Sequence, residues 1–519
     1  MASPEPIQQR YLKLVAEIEQ RFAVSRWRSG DIDLWPPARM DLFLDMFATD
    51  GRATAPPPPS FIRRAAGGLA TPLTNLWKSR HDLAHWMPWP RRAQALILGD
   101  GVSLDRVGGA WQDRYGEPIA AALESGGRKT LMMQPGDLKR LPWRRPTFAV
   151  NSVSAWGALI AAAPTRRTLD LPDHEALLTF LDAERVAAPS LNRDRLARRA
   201  RTLASTSWLF QQILRRVRPN FAFVVTCYAG LGHAFALACR REAVLCIDLQ
   251  HCPQDGAHKA YGWRGVPDHG YTTLPALFWN WREDDAAFIQ DWASALPSPW
   301  HQSLHGGHTQ IIAHRDGPEA LLGSDGFDRE ILVALQPIGG HRASWDALAD
   351  IIESGPPRWR WWIRRHPSST PAQDADYARL LTLRRPNLLI DEASQHSLPA
   401  LLPHMSALVS LASGAAGEAA MFGVPAFFLS DEARGTFPGL IARGDARIIE
   451  PAELLPAISG IQKKATVPPK PAPPLGETLS RLERIAEDYA RLCSLERRPA
   501  LSRTGRSATR SPRVGRGTG

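Results

Sequence analysis

The sequence lacks the long apolar runs of a membrane-spanning or secreted chain. No window of 18 or more apolar residues occurs in its 519 residues, and MASPEPIQQRYLKLV at its start has no basic segment followed by an apolar run. Cysteine is scarce, and Cys227, Cys239, Cys246, Cys252 and Cys493 lack the close paired spacing of zinc sites or disulfide frameworks. We therefore expect a cytoplasmic chain with reduced, mostly buried thiols.

Excess positive charge is almost confined to the C-terminal end. The formal net charge is +11, but seven arginines and no acidic residue lie between Arg497 and Gly519, which leaves about +4 elsewhere. This segment is rich in Ser, Gly and Pro and has almost no large apolar residue to offset the entropy of ordering. We predict a disordered basic tail over 497–519. A peripheral contact with the inner face of a membrane, weak nucleic-acid binding and a solvated tail without a specific function all fit it.

The rest of the chain predicts two α/β domains behind an N-terminal extension. At 44% hydrophobic and 22% charged residues the chain can bury more than one core. Residues 1–90 combine a helical stretch near 5–24 with the proline run 56–59, which predicts a helical extension and a linker. Over 91–315, short apolar runs at 95–100, 130–134, 221–228 and 243–250 alternate with helical segments such as 174–187 and 229–242. Such alternation is typical of a parallel sheet.

The alternation is most regular in the predicted second domain, 316–465. Its predicted strands are 331–337, 358–367, 387–394, 407–413 and 424–430, with short helices between them. Residues 466–496 are a proline-rich link and an amphipathic helix over 477–492, which we expect to pack back across both domains. The predicted fold class is α/β, with two Rossmann-like, doubly wound domains facing a cleft.

Strand ends in the second domain carry groups suited to a nucleotide. In open α/β sheets ligands bind beyond the carboxyl ends of the strands. Arg364 and His366 follow one strand and suit a phosphate or a base edge, and Pro367 restricts the backbone of His366. Gly339 and Arg342 follow the first strand and can face the same crevice. A simple turn explains His366-Pro367 and Gly339 equally well.

A small-residue turn follows the strand at 407–413. Ser410, Ser413 and Gly414 allow backbone N–H groups and hydroxyls to approach a phosphate at a helix N-terminus. Glu418 lies one turn further along and can bind ribose hydroxyls. Tight helix packing, with Glu418 stabilising the helix dipole, is the alternative.

A polar cluster follows the first-domain strand at 243–250. It contains Gln250, His251, His258 and Tyr261, and an Asp, Glu or His in such a place can act as the general base for an acceptor hydroxyl. We predict acceptor contacts for Gln250, His258 and Tyr261. A structural role for the histidines remains open.

Together these motifs resemble a known enzyme family over about residues 95–465. The motifs are His366-Pro367, the Ser410/Ser413 turn with Glu418-Ala419, Gly423-Val-Pro425 and Gln250-His251. They resemble GT-B glycosyltransferases of bacterial surface-polysaccharide synthesis. The His-Pro and serine motifs are most similar to bacterial sialyltransferases and capsule Kdo transferases, which use CMP-activated sugars.

The resemblance implies an inverting glycosyltransferase that needs neither metal nor cofactor, with the nucleotide-sugar as substrate and a polysaccharide or glycolipid as acceptor. It implies that His366 contacts the nucleotide, that Ser410 and Ser413 hold its phosphate and that Glu418 binds ribose. Asp374-Ala-Asp376, at a helix start, is interpreted as capping and not as a metal-binding pair.

The catalytic base is the point where the chain departs from the family. CMP-sugar transferases carry two acidic residues before a glycine, whereas Gly99-Asp100-Gly101 supplies one carboxylate. Cys252 stands where related capsule enzymes follow Gln-His with glycine. The base is therefore Asp100 or His251.

Four other functions fit the same sequence. A UDP-N-acetylglucosamine-type epimerase or a polyol-phosphate transferase shares the two-domain scaffold. A non-catalytic nucleotide- or glycan-binding protein would explain the incomplete acidic motif. A nucleic-acid binder would use the arginine-rich tail.

Overall fold

The computed structural model of the chain contains two large parallel β-sheets. The structure describes residues 7–49, 77, 92–107, 109–135, 142–163, 167–314, 326–336, 341–366, 374–390, 392–461 and 473–497. The predicted linker prolines 56–59, the predicted division between 315 and 316, Gly339, Pro367 and residues 498–519 of the tail lie outside the described residues.

Strands of the described chain form two large sheets and two small hairpins. In chain order they are β1 Arg28–Ser29, β2 Ile32–Asp33, β3 Ala95–Leu98, β4 Leu104–Val107, β5 Ala110–Asp113, β6 Thr130–Gln134, β7 Thr147–Ala149, β8 Phe221–Val225, β9 Leu245–Leu249, β10 Leu277–Asn280, β11 Gln302–His305, β12 Arg329–Ala334, β13 Trp359–Arg364, β14 Leu388–Leu389, β15 Ala407–Ser410, β16 Ala426–Phe428 and β17 Ala446–Ile448. The first sheet has the order β11-β10-β9-β8-β3-β6-β7, and the second has the order β14-β13-β12-β15-β16-β17. All neighbours in both sheets are parallel, whereas β1–β2 and β4–β5 are antiparallel hairpins.

Helices cover both sheets. They are α1 Ile7–Arg21, α2 Trp35–Thr49, α3 Gly116–Ser125, α4 Asn151–Ala162, α5 His174–Ala183, α6 Arg193–Val217, α7 Gly230–Glu242, α8 Glu283–Ala293, α9 Thr309–His314, α10 Arg342–Ser354, α11 Ala378–Thr382, α12 Leu398–Leu401, α13 Ala415–Met421, α14 Glu432–Thr436, α15 Pro438–Ala442, α16 Leu454–Ser459 and α17 Leu475–Arg497. Short 3-10 helices are Val24–Arg26, Pro189–Leu191, Ala375–Tyr377, Glu392–Ser394, Leu402–His404 and Pro451–Glu453. No helix in the described ranges has both the length and the apolar character to cross a bilayer.

The central strands are buried on both faces, which explains their continuous apolar sequences. Every residue of β3, β8, β9 and β10 is buried, as expected for parallel strands covered by helices on each side. One apolar cluster contains residues of α4, α6 and α7, and the cluster on the opposite face contains residues of α3 and α17. The second sheet is likewise flanked by two clusters. The predicted fold class is confirmed.

Several predicted elements differ in detail. The sequence prediction missed β7, β10, β11 and β17 of the two sheets and both hairpins, β1–β2 and β4–β5. The predicted strand 387–394 is only the two-residue edge strand β14. The N-terminal extension is not separate, because α1 and α2 bury Tyr11 and Trp35 in a core of the first domain. Asp374 does not cap its helix; it pairs with Arg365 at 3.0 Å.

The C-terminal helix α17 returns to the first domain. Leu482 and Tyr489 are buried in the same cluster as Ile247 of β9, and Arg128 of the first domain pairs with Glu483. Met421 of the second domain packs against this cluster. The chain therefore leaves the first domain after β11, builds the second sheet and comes back.

All five cysteines are free thiols. Four are buried and Cys252 is half-buried, in agreement with the expected reduced state.

Candidate functional site

The carboxyl ends of the two sheets face each other across a cavity of about 630 Å³. Its first-domain wall includes Asp100, Tyr115, Thr226, Tyr228 and His251, and its second-domain wall includes Arg364, His366, Ser413, Gly414 and Glu418. Beyond the carboxyl ends of parallel strands is where such folds bind ligands. Both predicted bases and five of the predicted donor residues thus share one cavity.

Asp100 is held rigidly at the end of β3. Its Oδ1 accepts hydrogen bonds from the backbone N–H groups of Val102 (2.8 Å) and Ser103 (2.7 Å). Its Oδ2 accepts from Ser103 Oγ (2.8 Å) and Thr226 Oγ1 (3.3 Å). These bonds fix the orientation of the carboxylate on the cavity wall.

Thr226 lies between the two predicted bases in an unusual conformation. Its φ is 64°, in the left-handed region that a β-branched residue rarely adopts. Its Oγ1 is 3.3 Å from Asp100 Oδ2 and 3.3 Å from His251 Nε2. Strained residues of this kind persist where surrounding contacts enforce them and often mark functional sites. Here Asp248 Oδ1 accepts from the following N–H, that of Cys227, at 3.2 Å.

Gly232 in the first turn of α7 allows this strained turn. A Cβ on Gly232 would lie 2.5 Å from the Cys227 carbonyl oxygen and 2.6 Å from that of Thr226. Gly232→Ala is therefore expected to lower the free energy of unfolding by about 2 kcal/mol through overpacking against backbone. Gly230→Ala is the matched control, since its Cβ would meet only Arg199 Nη1 at 3.6 Å, and we expect a change within about 0.5 kcal/mol. Urea unfolding of both variants would test this, and equal losses would contradict it.

His251 is a half-buried, neutral imidazole. Its Nε2 is 3.0 Å from the Tyr228 hydroxyl, and burial lowers its pKa to about 4. At neutral pH it carries no charge and can accept a proton, although the Tyr228 hydroxyl already occupies Nε2.

A second carboxylate, missed in the sequence, lies behind Asp100. Burial and the charge of Asp100 raise the pKa of Asp113 to about 7. Its Oδ1 accepts from the N–H groups of Tyr115 (3.1 Å) and Gly116 (2.6 Å), and its Oδ2 accepts from Gln134. Asp113 is the last residue of β5 in the β4–β5 hairpin, and it is not among the residues that line the cavity. No motif around Asp113 signals this, because the pairing depends on tertiary structure.

Arg364 bridges the two domains. Its Nη1 donates to the carbonyl oxygen of Ala393 (2.6 Å), and its Nη2 is 3.7 Å from Asp105 Oδ1. Asp105 also binds Arg114 at 2.9 Å and accepts from Gln310 Nε2 at 3.1 Å. Burial alone would raise the pKa of Asp105, but the two arginine charges lower it. The guanidinium predicted to contact the donor therefore also belongs to a buried network between the domains.

Glu418 is likewise shared with the first domain. Its Oε1 is 3.0 Å from His308 Nε2, and the His308 ring packs on Trp281 with 4.3 Å between centroids. Both Glu418 and His308 are buried. The predicted ribose contact stays a prediction, and it would have to compete with His308 for the carboxylate.

The two serines of the Ser410/Ser413 turn differ in their position relative to the cavity. Ser413 and Gly414 line the cavity, and a Cβ on Gly414 would meet nothing within 4 Å. Ser410 is fully buried behind them, where its Oγ accepts from the Ser413 N–H at 3.2 Å. The expected phosphate contact of Ser410 is corrected to a supporting role, because its side chain does not reach the cavity.

The residues predicted to contact the acceptor do not line the cavity; they are Gln250, His258 and Tyr261. Gln250 is buried and binds Asp285 Oδ2 (2.8 Å) and the Trp281 N–H (2.5 Å). Tyr261 is buried and donates to Asp248 Oδ2 at 3.0 Å.

The last two corrections concern His258 and Arg342. The imidazole of His258 lies 3.5 Å from Cys252 Sγ, and burial lowers its pKa. It therefore supports the loop, as Gln250 and Tyr261 support the strand end. Arg342 is exposed outside the cavity and faces Asp346 at 3.7 Å. Across the described ranges, no group of three or more His, Cys, Asp and Glu side chains is arranged to hold a metal ion.

Comparisons with known proteins give matches in structure and none in sequence. No family model matches the sequence, and no curated protein matches it. The chain is similar in structure to a UDP-GlcNAc 2-epimerase from Methanocaldococcus jannaschii, at 12% identity over 75% of this chain and 99% of that one, with a TM-score of 0.45. It is also similar to UDP-GlcNAc 2-epimerase from Neisseria meningitidis bound to UDP-GlcNAc, at 12% identity over 76% and 99%, with a TM-score of 0.43.

The glycosyltransferase SnogD from Streptomyces nogalater is similar at 16% identity over 78% of this chain and 100% of that one, with a TM-score of 0.38. The names of these neighbours are those of epimerases and a glycosyltransferase. These identities are too low to transfer a residue or a substrate to this chain. The CMP-sugar and capsule expectations stay predictions.

Proposed function

We propose that this chain is a glycosyltransferase that moves a sugar from a nucleotide-sugar to a hydroxyl acceptor in the cavity between the sheets. The observation that carries the proposal is that the two opposite walls of the cavity carry different kinds of polar groups. Asp100 and His251 face the cavity from one side, and His366 with the Ser413–Gly414 turn faces it from the other. One wall offers proton acceptors and the other offers hydrogen-bond donors for a phosphate.

The reaction would follow from this division. Asp100 takes the proton of the acceptor hydroxyl as the oxygen forms its bond to the anomeric carbon. The bond from that carbon to the phosphate oxygen breaks, and the electron pair leaves with the nucleotide. The Ser413 hydroxyl, backbone N–H groups of the turn and the His366 ring would stabilise the leaving phosphate. Burial lowers the pKa of His366, so the ring would act as a neutral donor.

An epimerase is the second candidate, because carboxylates stand on both walls. Asp100 and Glu418 both line the cavity, an arrangement that also suits proton transfer on the bound sugar itself. Incubation with a nucleotide-sugar in the absence and presence of acceptor separates the two reactions. A new sugar epimer without acceptor would favour the epimerase, whereas an acceptor-dependent glycoside would favour the transferase.

Nucleotide binding is the first property to measure. Among CMP, CDP, UDP and GDP, one nucleotide is expected to stabilise the fold by about 2.7 kcal/mol when present at about a hundred times its Kd. His366→Ala should remove most of the resulting rise in Tm. Arg358→Ala, in an exposed ion pair with Asp328, is the control and should keep the rise. If no nucleotide raises Tm, or if His366→Ala responds like the control, the assignment of the donor site is wrong.

A further inference from the structure

Helix α4 presents an apolar surface to solvent. Its sequence, NSVSAWGALIAA, contains no charged residue. Trp156 and Ile160, one turn apart, are 45% and 43% exposed, and Trp208 of the neighbouring helix α6 is 49% exposed. Surface helices normally carry charged residues on their outer face, and clustered exposed apolar side chains mark interaction sites. We call Trp156, Ile160 and Trp208 the α4–α6 surface.

The three side chains share one side of the first domain. Ser205 Oγ of α6 donates to the Gly157 carbonyl oxygen at 2.6 Å, and Arg201 Nε donates to that of Ala161 at 3.2 Å. The later residue of α4 contacts the earlier residue of α6, so the two helices lie side by side and antiparallel. Both helices bury their inner residues in one cluster against the first sheet. Their exposed aromatic and aliphatic side chains therefore point away from that sheet.

Positive charge borders this surface. Helix α6 carries seven arginines and a single acidic residue, Asp194. Arg193, Arg195 and Arg198 are exposed, and none of them pairs with a carboxylate elsewhere in the described chain. They lie on the N-terminal part of α6, beyond Arg201, which contacts the C-terminal end of α4 near Ile160. Apolar side chains next to unpaired arginines match the interface of an anionic bilayer, where tryptophan lies at the headgroup level and arginine meets phosphate.

We propose that the α4–α6 surface binds the face of a bilayer that contains anionic phospholipid. A second copy of the chain fits less well, because a two-fold contact would bring the arginines of both α6 helices together. Nucleic acid fits less well because α4 offers aliphatic side chains and no charge. The proposal does not depend on the basic segment 497–519.

Flotation with vesicles tests the proposal in the full chain. Vesicles of equal parts phosphatidylcholine and phosphatidylglycerol should carry the protein upward, and vesicles of phosphatidylcholine alone should carry much less. The combined variant Trp156→Gln, Ile160→Gln and Trp208→Gln should bind the anionic vesicles about tenfold more weakly. Leu495→Gln, at an exposed leucine of α17, is the matched control and should bind like the wild type. All of these proteins keep the basic tail.

A second combined variant controls for the possibility that the first loses binding because it misfolds. Arg193→Gln, Arg195→Gln and Arg198→Gln combined should also lose about tenfold in binding to the anionic vesicles, with an unchanged Tm. The proposal is overturned if both combined variants float like the wild type, or if the wild type ignores anionic vesicles. It is equally overturned if the wild type is a dimer without lipid and the apolar variant is a monomer. The nucleotide response is measured separately, so failure of the proposed function would be seen independently.

Discussion

Asp100→Asn is expected to lower the kcat of sugar transfer about a thousandfold while KM changes little, because a general base acts only as the bond forms. The side chain keeps its size and most of its hydrogen bonds, so the fold should persist. His251→Gln is expected to cost only about tenfold, since Nε2 of His251 is already occupied by the Tyr228 hydroxyl and the ring would act by holding Thr226. Steady-state kinetics on both variants, with Leu495→Gln as control, would measure these effects.

The pH profile distinguishes the two bases further. A base works only when deprotonated, so the rate is lost as the pH falls through its pKa. If His251 were the base, kcat/KM would stay level down to an acid limb near pH 4 instead of one near the ordinary 6.5, since burial lowers its pKa to about 4. A thousandfold loss in His251→Gln together with such a limb would overturn the assignment to Asp100. Full activity of both variants would contradict a general-base role for either residue.

Asp105→Ala is expected to lower the free energy of unfolding by about 4 kcal/mol, because it leaves two buried guanidinium groups without their carboxylate. Arg114 and Arg364 both depend on Asp105, and one belongs to each domain. The loss should appear in urea unfolding, with the second domain separating from the first as its own transition.

The control for this prediction is an exposed ion pair. Asp328 pairs with Arg358 at 3.1 Å on the surface of the second domain. Asp328→Ala should therefore change the free energy of unfolding by no more than about 0.5 kcal/mol. If Asp105→Ala costs no more than Asp328→Ala, the network does not hold the domains together.

Much of the architecture could be predicted because it is encoded locally. Parallel strands buried on both faces are continuous apolar runs, and their alternation with helices predicted the sheets and the edge at which the cavity lies. His251, His366 and Ser413 follow from that rule, whereas Asp100 was predicted from the resemblance to CMP-sugar transferases. The missed strands β10 and β11 are only four residues long, too short to show a clear periodicity in the sequence. Strand β10 follows a long irregular connection after β9, and β11 follows α8.

The rest of the site depends on partners distant in sequence. Asp105 is buried only because residues near 114, 310 and 364 meet it, and no local pattern contains that information. Gln250 and Tyr261 were predicted to contact the acceptor because they are polar and follow a strand end, although they do not line the cavity. Polar side chains at a strand end also satisfy neighbouring backbone and buried carboxylates, so polarity alone does not tell a cavity wall from its support.

The return of α17 to the first domain affects folding during translation and the motion of the two domains relative to each other. One face of the first sheet is covered by residues such as Leu482, which are synthesised after the entire second domain. The first domain therefore cannot complete its core during translation until the last helix has left the ribosome. Because the chain crosses between the domains twice, the two connections restrict the rotation of one domain on the other.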